Sequence, residues 1–122
     1  MDARTLAQLC RQLAENKKAE DVLVLDLRGI STITDYFVIA SGGTEPHLRA
    51  IVEELVDKVR ETAGLKPAGT DGSWNARWIV LDYLDVIVHV MHPETRKRYA
   101  LEQLWGDAPR LQPSTAELPT RG

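Results

Sequence analysis

The chain has 122 residues, of which 43% are hydrophobic and 27% charged, a balance typical of one soluble domain with a single core. Its formal net charge of -3 at pH 7 argues against holding a nucleic-acid backbone through bulk electrostatics. Cys10 is the only cysteine, so no internal disulfide forms and the cell interior is the expected location. No leader and no apolar run of membrane-spanning length is apparent, and we expect a cytoplasmic protein.

The first third of the chain predicts one helix and two strands. Apolar residues recur at helical spacing behind Thr5, an expected N-cap, and predict a helix over residues 5–19. Residues 22–27 and 36–41 are apolar on both faces, as central strands are.

A second helix follows the turn formed by Gly42, Gly43 and Thr44. Its apolar positions keep helical spacing until Gly64, which predicts a left-handed C-cap. Residues 66–76 are rich in Gly, Asp, Ser and Asn and predict a loop able to carry Trp74 to the surface.

The C-terminal third predicts a hairpin, a last helix and a tail. Pro93 suits the first turn of that helix, and Gly106 would end it. Its predicted core-facing residues are Ala100, Leu101, Leu104 and Trp105. We therefore predict one domain over residues 1–109 and a flexible tail over residues 110–122.

The hairpin pairs a strand at residues 77–83 with one at residues 86–91. One predicted face carries Ile79, Leu81, Tyr83, Val86, Val88 and Val90, and this face is apolar enough to be core. The other carries Trp78, Val80, Asp82, Ile87, His89 and Met91. Two interpretations of this mixed face stay open: it binds a partner, or a helix of the same domain covers it.

Several segments together resemble the bacterial ribosomal silencing factor family, also called Iojap. They are residues 33–42 (ITDYFVIASG), His47, residues 78–83 (WIVLDY), residues 85–91 (DVIVHVM), Arg96, Tyr99, Leu101, Glu102, Leu104 and Trp105. The similarity extends over about residues 6–109, in the order and spacing of the family.

Two positions depart from the family pattern. Residues 70–72 (TDG) stand where members usually have Glu-Gly, and Leu84 replaces the usual turn glycine. Because leucine resists the positive φ of a two-residue primed turn, we expect the turn at Leu84 to be wider than the family's.

The resemblance implies an α/β (α+β) single domain with a mixed β-sheet packed by helices, related in fold to nucleotidyltransferases but without their catalytic site. It implies a repressor that binds ribosomal protein L fourteen on the large subunit, blocks joining of the small subunit and lowers translation under nutrient limitation. Such occlusion needs no enzyme activity, cofactor or metal.

The expected partner-binding surface centres on Trp78 and includes Asp82, Tyr83, Asp85, Ile87, His89 and Met91. Trp78 is the expected anchor, since large aromatic residues often dominate interface energies. A homodimer that buries the same face is a further possibility for the free protein. The basic run at residues 96–98 is expected to be the solvated face of the last helix, and contact of this run with ribosomal RNA at the edge of the interface is left open.

A rival hypothesis is a nucleotide-binding or nucleotidyltransferase-like enzyme. The turn from Ser41 to Thr44 lies at a helix entry and offers backbone amides to a phosphate. No Asp-x-Asp pair for magnesium stands in the adjoining strands, so this hypothesis is the weaker. His89 and His92 are three apart and would point to opposite strand faces, which argues against chelation, and His47 suits a cap-supporting role.

Overall fold

The computed structural model describes residues 1–113. Its helices and strands, in chain order, are α1 (Ala3–Asn16), β1 (Glu20–Asp26), β2 (Tyr36–Ser41), α2 (Glu45–Ala63), β3 (Gly69–Ser73), β4 (Trp78–Asp82), β5 (Val86–Met91), α3 (Pro93–Tyr99) and α4 (Leu101–Leu104). They confirm the predicted single α+β domain with a mixed sheet. None of the described helices is long and apolar enough to cross a membrane.

The five strands lie in the order β1-β2-β5-β4-β3. The central pair, β2 and β5, is parallel, with Tyr36 opposite Val86 and Ser41 opposite Met91. The other neighbouring pairs are antiparallel. Because β2 and β5 run in the same direction, their carboxyl ends meet at one edge of the sheet.

The helices α1 and α2 pack on one face of this sheet and enclose the main core. The hairpin residues predicted for that core are all buried there, namely Ile79, Leu81, Tyr83, Val86, Val88 and Val90. The predicted C-cap of α2 is also confirmed, since Gly64 ends the helix at φ 69°. Thr44, the last residue of the predicted turn, is the N-cap and accepts a hydrogen bond from the backbone N–H of His47. The period-two pattern of the hairpin thus identified the core face correctly.

The first helix begins and ends earlier than residues 5–19. Asp2 is its N-cap, since its carboxylate accepts from the backbone N–H of Thr5 at 2.7 Å. Thr5 is therefore in the first turn and does not cap the helix. Lys18 and Asp21 take positive φ values of 61° and 50°, which end the helix and start β1 through an irregular register between Glu20 and Leu23.

The predicted loop over residues 66–76 contains the edge strand β3, which pairs along β4 from Gly69 opposite Asp82 to Ser73 opposite Trp78. All five residues of β3 are exposed, so no apolar alternation marks the strand in the sequence. Trp74 is half-buried and not fully at the surface, because its ring lies 4.2 Å from the Arg49 guanidinium on α2.

The predicted last helix is broken into α3 and α4. Ala100 takes a left-handed φ of 47° and ends α3, and α4 starts at the next residue. This change of direction leaves Leu104 73% exposed instead of in the core. Leu101 and Trp105 do pack inward, as predicted, but on the sheet face away from α1 and α2.

Residues 110–112, which we predicted to belong to the tail, are bound to the domain. Arg110 forms a bridge with Leu25, and Leu111 donates its N–H to the Val24 carbonyl at 2.8 Å. From α1, Gln8 Nε2 donates to the Gln112 carbonyl at 2.7 Å, and Arg11 donates to the Leu111 carbonyl. Residues 110–112 thus lie along the outer edge of β1; residues 114–122 of the predicted tail lie outside the described residues.

Candidate partner-binding site

The segment from α3 to Arg110 covers only part of the second sheet face. A smaller core forms there from Leu25, Leu27, Phe37, Ile39, Met91 and Ala108. Trp78, Ile87, Leu101 and Trp105 border this cluster and are half-buried. The interpretation that helical residues cover this face holds for the part around Met91. Trp78 keeps an accessible side, and for this part the interpretation that the face binds a partner stays a prediction.

His89 lies beneath Trp78 and supports it. The indole Nε1 donates to His89 Nδ1 at 3.1 Å, so the neutral histidine carries its proton on Nε2. The edge of the Phe37 ring packs on the imidazole with centroids 4.6 Å apart, and His89 is only 7% exposed. Burial lowers the pKa of His89 to about 4, so the ring is neutral and acts as a hydrogen-bond acceptor for the indole.

Tyr99 extends the surface beside Trp78. The two rings lie 4.9 Å apart at 46°, and Tyr99 is 52% exposed. Tyr99 thus adds apolar area that our predicted site did not include. The sequence offered a signal for Tyr99, which is among the residues shared with the family, but the outward position of Leu104 depends on the break at Ala100.

The hairpin turn is narrow and not wider than two residues. Leu84 takes φ 73°, and Tyr83 donates its N–H to the Val86 carbonyl at 2.9 Å across the two-residue turn. The Asp82 carboxylate accepts from the backbone N–H of Leu84 at 2.7 Å and thereby stabilises the unfavourable conformation. Our expectation of a wider turn was wrong because it ignored this local acceptor.

Three residues of the predicted site are not accessible in this conformation, namely His89, Met91 and Tyr83. Met91 is 0% exposed, and Tyr83 points into the main core with 6% exposure. Burial also raises the pKa of the Tyr83 phenol. Of the predicted site, the accessible residues are Trp78, Asp82 and Ile87, which are half-buried, and Asp85, which is exposed.

The turn after β2 uses its own polar groups. Gly42 donates its N–H to the Met91 carbonyl at 3.2 Å, and the Thr44 hydroxyl accepts from the His47 N–H at 3.2 Å. The His47 ring lies 2.8 Å from the Lys17 carbonyl, a contact that fits the supporting role predicted for it. The Gly42 amide is therefore not free for a phosphate, which weakens the nucleotide hypothesis in its original form.

The remaining candidate ligands have structural roles. His92 caps α3 by accepting from the Glu94 N–H at 3.1 Å. Residues 1–113 contain no group of three or more His, Cys, Asp or Glu side chains close enough to hold a metal ion. Cys10 is fully buried in the main core, and burial raises the pKa of its thiol to about 12, so it is a small apolar core residue.

The basic run differs from its predicted solvated state at Arg96. This side chain is buried, donates from Nε to the Glu102 carboxylate at 2.5 Å and from Nη1 to the Ser41 hydroxyl at 2.9 Å. Lys97 and Arg98 are exposed as expected. Arg96 thus joins α3, α4 and the end of β2, across the break at Ala100.

Together these features define a small α+β protein in which α1 and α2 pack on one sheet face and the other face is aromatic and partly open. The model of the family described as "Ribosomal silencing factor during starvation" matches residues 1–121. The chain belongs to this family.

Individual relatives agree with this family assignment. The chain is 39% identical over 109 residues to a ribosomal silencing factor of Bacillus subtilis, covering 89% of this chain and 92% of that protein. It is 37% identical over 109 residues to the mouse protein named "Mitochondrial assembly of ribosomal large subunit protein 1", covering 85% of this chain and 45% of that longer protein. A crystal structure of a Chromobacterium violaceum protein matches with a TM-score of 0.82 at 28% identity, covering 99% of this chain and 98% of the other.

Proposed function

We propose that this protein is a cytoplasmic, non-enzymatic repressor of translation. It binds the large ribosomal subunit through ribosomal protein L fourteen and sterically blocks joining of the small subunit when nutrients are limiting. The observation that carries the proposal is the partly open sheet face on which Trp78 is held between His89 and Tyr99.

The chemistry of this face suits a protein partner. Its centre is aromatic and aliphatic, with Trp78, Tyr99 and Ile87 each partly accessible. Asp82 and Asp85 lie at the turn end of the same hairpin. An apolar centre with charges at the margin is the usual arrangement of a specific interface. The partner, by family expectation, is a basic protein, which these two acids would complement.

Fixed support beneath the anchor also favours binding. The hydrogen bond to His89 and the Tyr99 ring restrict the Trp78 side chain before any partner arrives. A side chain that is already ordered loses less conformational entropy on association. The names of the relatives point the same way, since one family description refers to silencing and the mouse name to the large ribosomal subunit.

Occlusion predicts a stoichiometric effect. Purified large and small subunits are mixed at fixed concentration, and their joining is followed by light scattering while the protein is added. We expect inhibition to saturate near one protein per large subunit. Unchanged joining at saturating protein would overturn the proposal, and full inhibition far below one protein per ribosome would instead favour an enzyme.

Direct binding gives an independent measurement. The protein should co-sediment with isolated large subunits and not with small ones, and it should bind isolated ribosomal protein L fourteen. A second copy of the chain is the alternative occupant of the Trp78 face. Sedimentation of the free protein with and without protein L fourteen separates the two, because a homodimer through this face would dissociate as the ribosomal protein binds.

A further inference from the structure

A cleft of about 620 Å³ opens at the edge where the parallel strands β2 and β5 end. The helix α2, which follows β2, packs against the main core, whereas the residues that follow α3 pack on the opposite sheet face. The chain therefore leaves the two neighbouring strands toward opposite faces. In open sheets with parallel strands, ligands bind in the crevice formed at such a point.

Arg96 gives this cleft a preorganised cationic wall. Its side chain is only 10% exposed, and Glu102 and Ser41 hold its Nε and Nη1. Its Nη2 has no hydrogen-bond partner within residues 1–113 and is not closed off from solvent. A guanidinium that is held in place and keeps one free donor edge suits a phosphate or carboxylate oxygen.

The charges around the cleft favour an anion. The carboxylate of Glu102 is neutralised by Arg96. The exposed Lys97 and Arg110 line the same cleft, and the exposed Asp21 is the acid opposed to them. The lining thus has an excess of positive charge although the whole chain has a formal net charge of -3. This local excess would draw a small anion to the cleft.

The backbone around the cleft is unusual in two places. Asp21 and Ala100 both line it, and they take left-handed φ values of 50° and 47°. Non-glycine residues in this conformation persist where the surrounding structure requires them, and they concentrate at binding sites. Asp21 lies in β1 and Ala100 lies at the break between α3 and α4. Two separate segments of the chain therefore adopt this conformation beside the same cleft.

We propose that this cleft binds a small phosphate-bearing molecule of about the size of a nucleoside monophosphate. The volume of about 620 Å³ lies within the range of small-molecule sites, about 300–1,000 Å³. Arg96, Lys97 and Arg110 hold the phosphate, and the apolar walls formed by Val22 and Pro93 contact the organic part. Recognition is by side chains and needs neither magnesium nor the amides of the Ser41 turn.

The test is a titration of the full-length, nitrogen-15-labelled chain with inorganic phosphate, AMP and GMP in magnesium-free buffer, followed by amide chemical shifts. We expect saturable shifts at Val22 and Ala100, and tighter binding of a nucleotide than of phosphate. Lys97→Gln combined with Arg110→Gln should weaken binding about tenfold or more, since two charge-assisted contacts are lost. The matched control, Lys58→Gln with Arg60→Gln on α2, removes the same charge elsewhere and should leave binding unchanged.

A second variant distinguishes the contribution of the Arg96 guanidinium group from that of its positive charge. Arg96→Lys keeps a cation beside Glu102 but removes the Nη2 edge, so binding should fall. The melting temperature should also fall, because the hydrogen bond to Ser41 is lost, and the titration is therefore run well below the melting temperature of the variant. Unaltered affinity in both the double variant and Arg96→Lys would overturn the proposal, as would the absence of saturable shifts with all three probes. If a short single-stranded RNA saturates the cleft and the three small probes do not, the site belongs to an RNA backbone and the small-molecule assignment is wrong.

Discussion

The indole Nε1 of Trp78 donates a hydrogen bond to Nδ1 of the buried His89 across 3.1 Å. The aromatic residue at the centre of the partly open sheet face is thus tied to a neutral histidine on the neighbouring strand. The pair connects surface recognition to the stability of the smaller core, where His89 packs on Phe37. Substitutions at Trp78 or His89 should therefore affect both partner binding and stability. The effect on binding should be larger at Trp78, and the effect on stability should be larger at His89.

Trp78→Ala should weaken binding to the large subunit by about 2 kcal/mol or more while the domain stays folded. The half-buried indole contributes contact area, and its loss also frees Tyr99, which packs on it. Competition binding together with thermal unfolding measures both effects. Leu65→Ala is the control, because Leu65 is 38% exposed and follows α2, which packs on the other sheet face. A domain that no longer melts cooperatively would show that Trp78 is a core residue.

Asp82 and Asp85, at the edge of the proposed surface, should control the rate of association with the partner. Asp82→Asn with Asp85→Asn removes two negative charges and keeps the acceptor oxygen that the Leu84 N–H requires. Binding to isolated protein L fourteen should weaken by about 1 kcal/mol or more, mainly through slower association, and the wild-type affinity should fall with added salt. Binding kinetics across a salt series measure this. Asp57→Asn with Glu61→Gln on α2 is the charge-matched control; equal affinities for all forms would mean that the two acids only shape the turn.

The two sheet faces should respond oppositely to the same substitution. Val88 is 0% exposed in the main core, so Val88→Asp buries an unpaired charge and should destabilise the fold by more than about 4 kcal/mol. Val80 is half-buried on the other face, opposite His89, so Val80→Asp should leave the protein folded and weaken partner binding. Denaturant unfolding distinguishes the two variants. Similar loss of stability in both would contradict the assignment of the faces.

Stability should fall in mildly acidic solution because of His89. Burial lowers the pKa of His89 to about 4, whereas a histidine in an unfolded chain has a pKa of about 6.5. The unfolded chain therefore binds more protons between these values, and the free energy of unfolding decreases from pH 6.5 down to pH 4 by up to about 3 kcal/mol. Urea titrations at several pH values measure the slope.

His89→Asn is the matched variant for this pH dependence. Its side-chain oxygen can still accept from the Trp78 indole, but it does not titrate. The decline above pH 4.5 should be much smaller in the variant. The same decline in both proteins would assign the effect to other groups and show that His89 is protonated as readily in the folded state as in the unfolded state.

Local sequence patterns correctly predicted the helices and strands that have one side buried in the main core. The period-two alternation of the hairpin identified the core face, and Gly64 marked the C-terminal end of α2. β3 was not predicted, because its stability comes from pairing with β4 and not from its own exposed residues. The break at Ala100 was hidden for a similar reason: alanine favours helix, and the tertiary contacts of Arg96 with Glu102 and Ser41 prevail over that preference.

The candidate site was predicted in part. The mixture of Trp78, Asp82 and His89 on one strand face correctly distinguished that face from the core. Burial of Met91 could not be derived from the hairpin alone, since it depends on where the residues after α3 return. The outward position of Leu104 depends on the same path of the chain. Contacts between distant segments were therefore the part that periodicity could not supply.

The contact between the two ends of the domain has a consequence for its synthesis. Gln8 and Arg11 in α1 find their acceptors at Gln112 and Leu111, more than ninety positions later in a chain of 122 residues. While the polypeptide is being made, the edge of β1 stays unpaired and these side chains lack their partners until residues 110–112 have emerged. In a nascent chain, the contacts of α1 and β1 with residues 110–112 should therefore form only after those residues have been synthesised. Newly made copies would acquire their full stability only after the ribosome that produced them has finished with this segment.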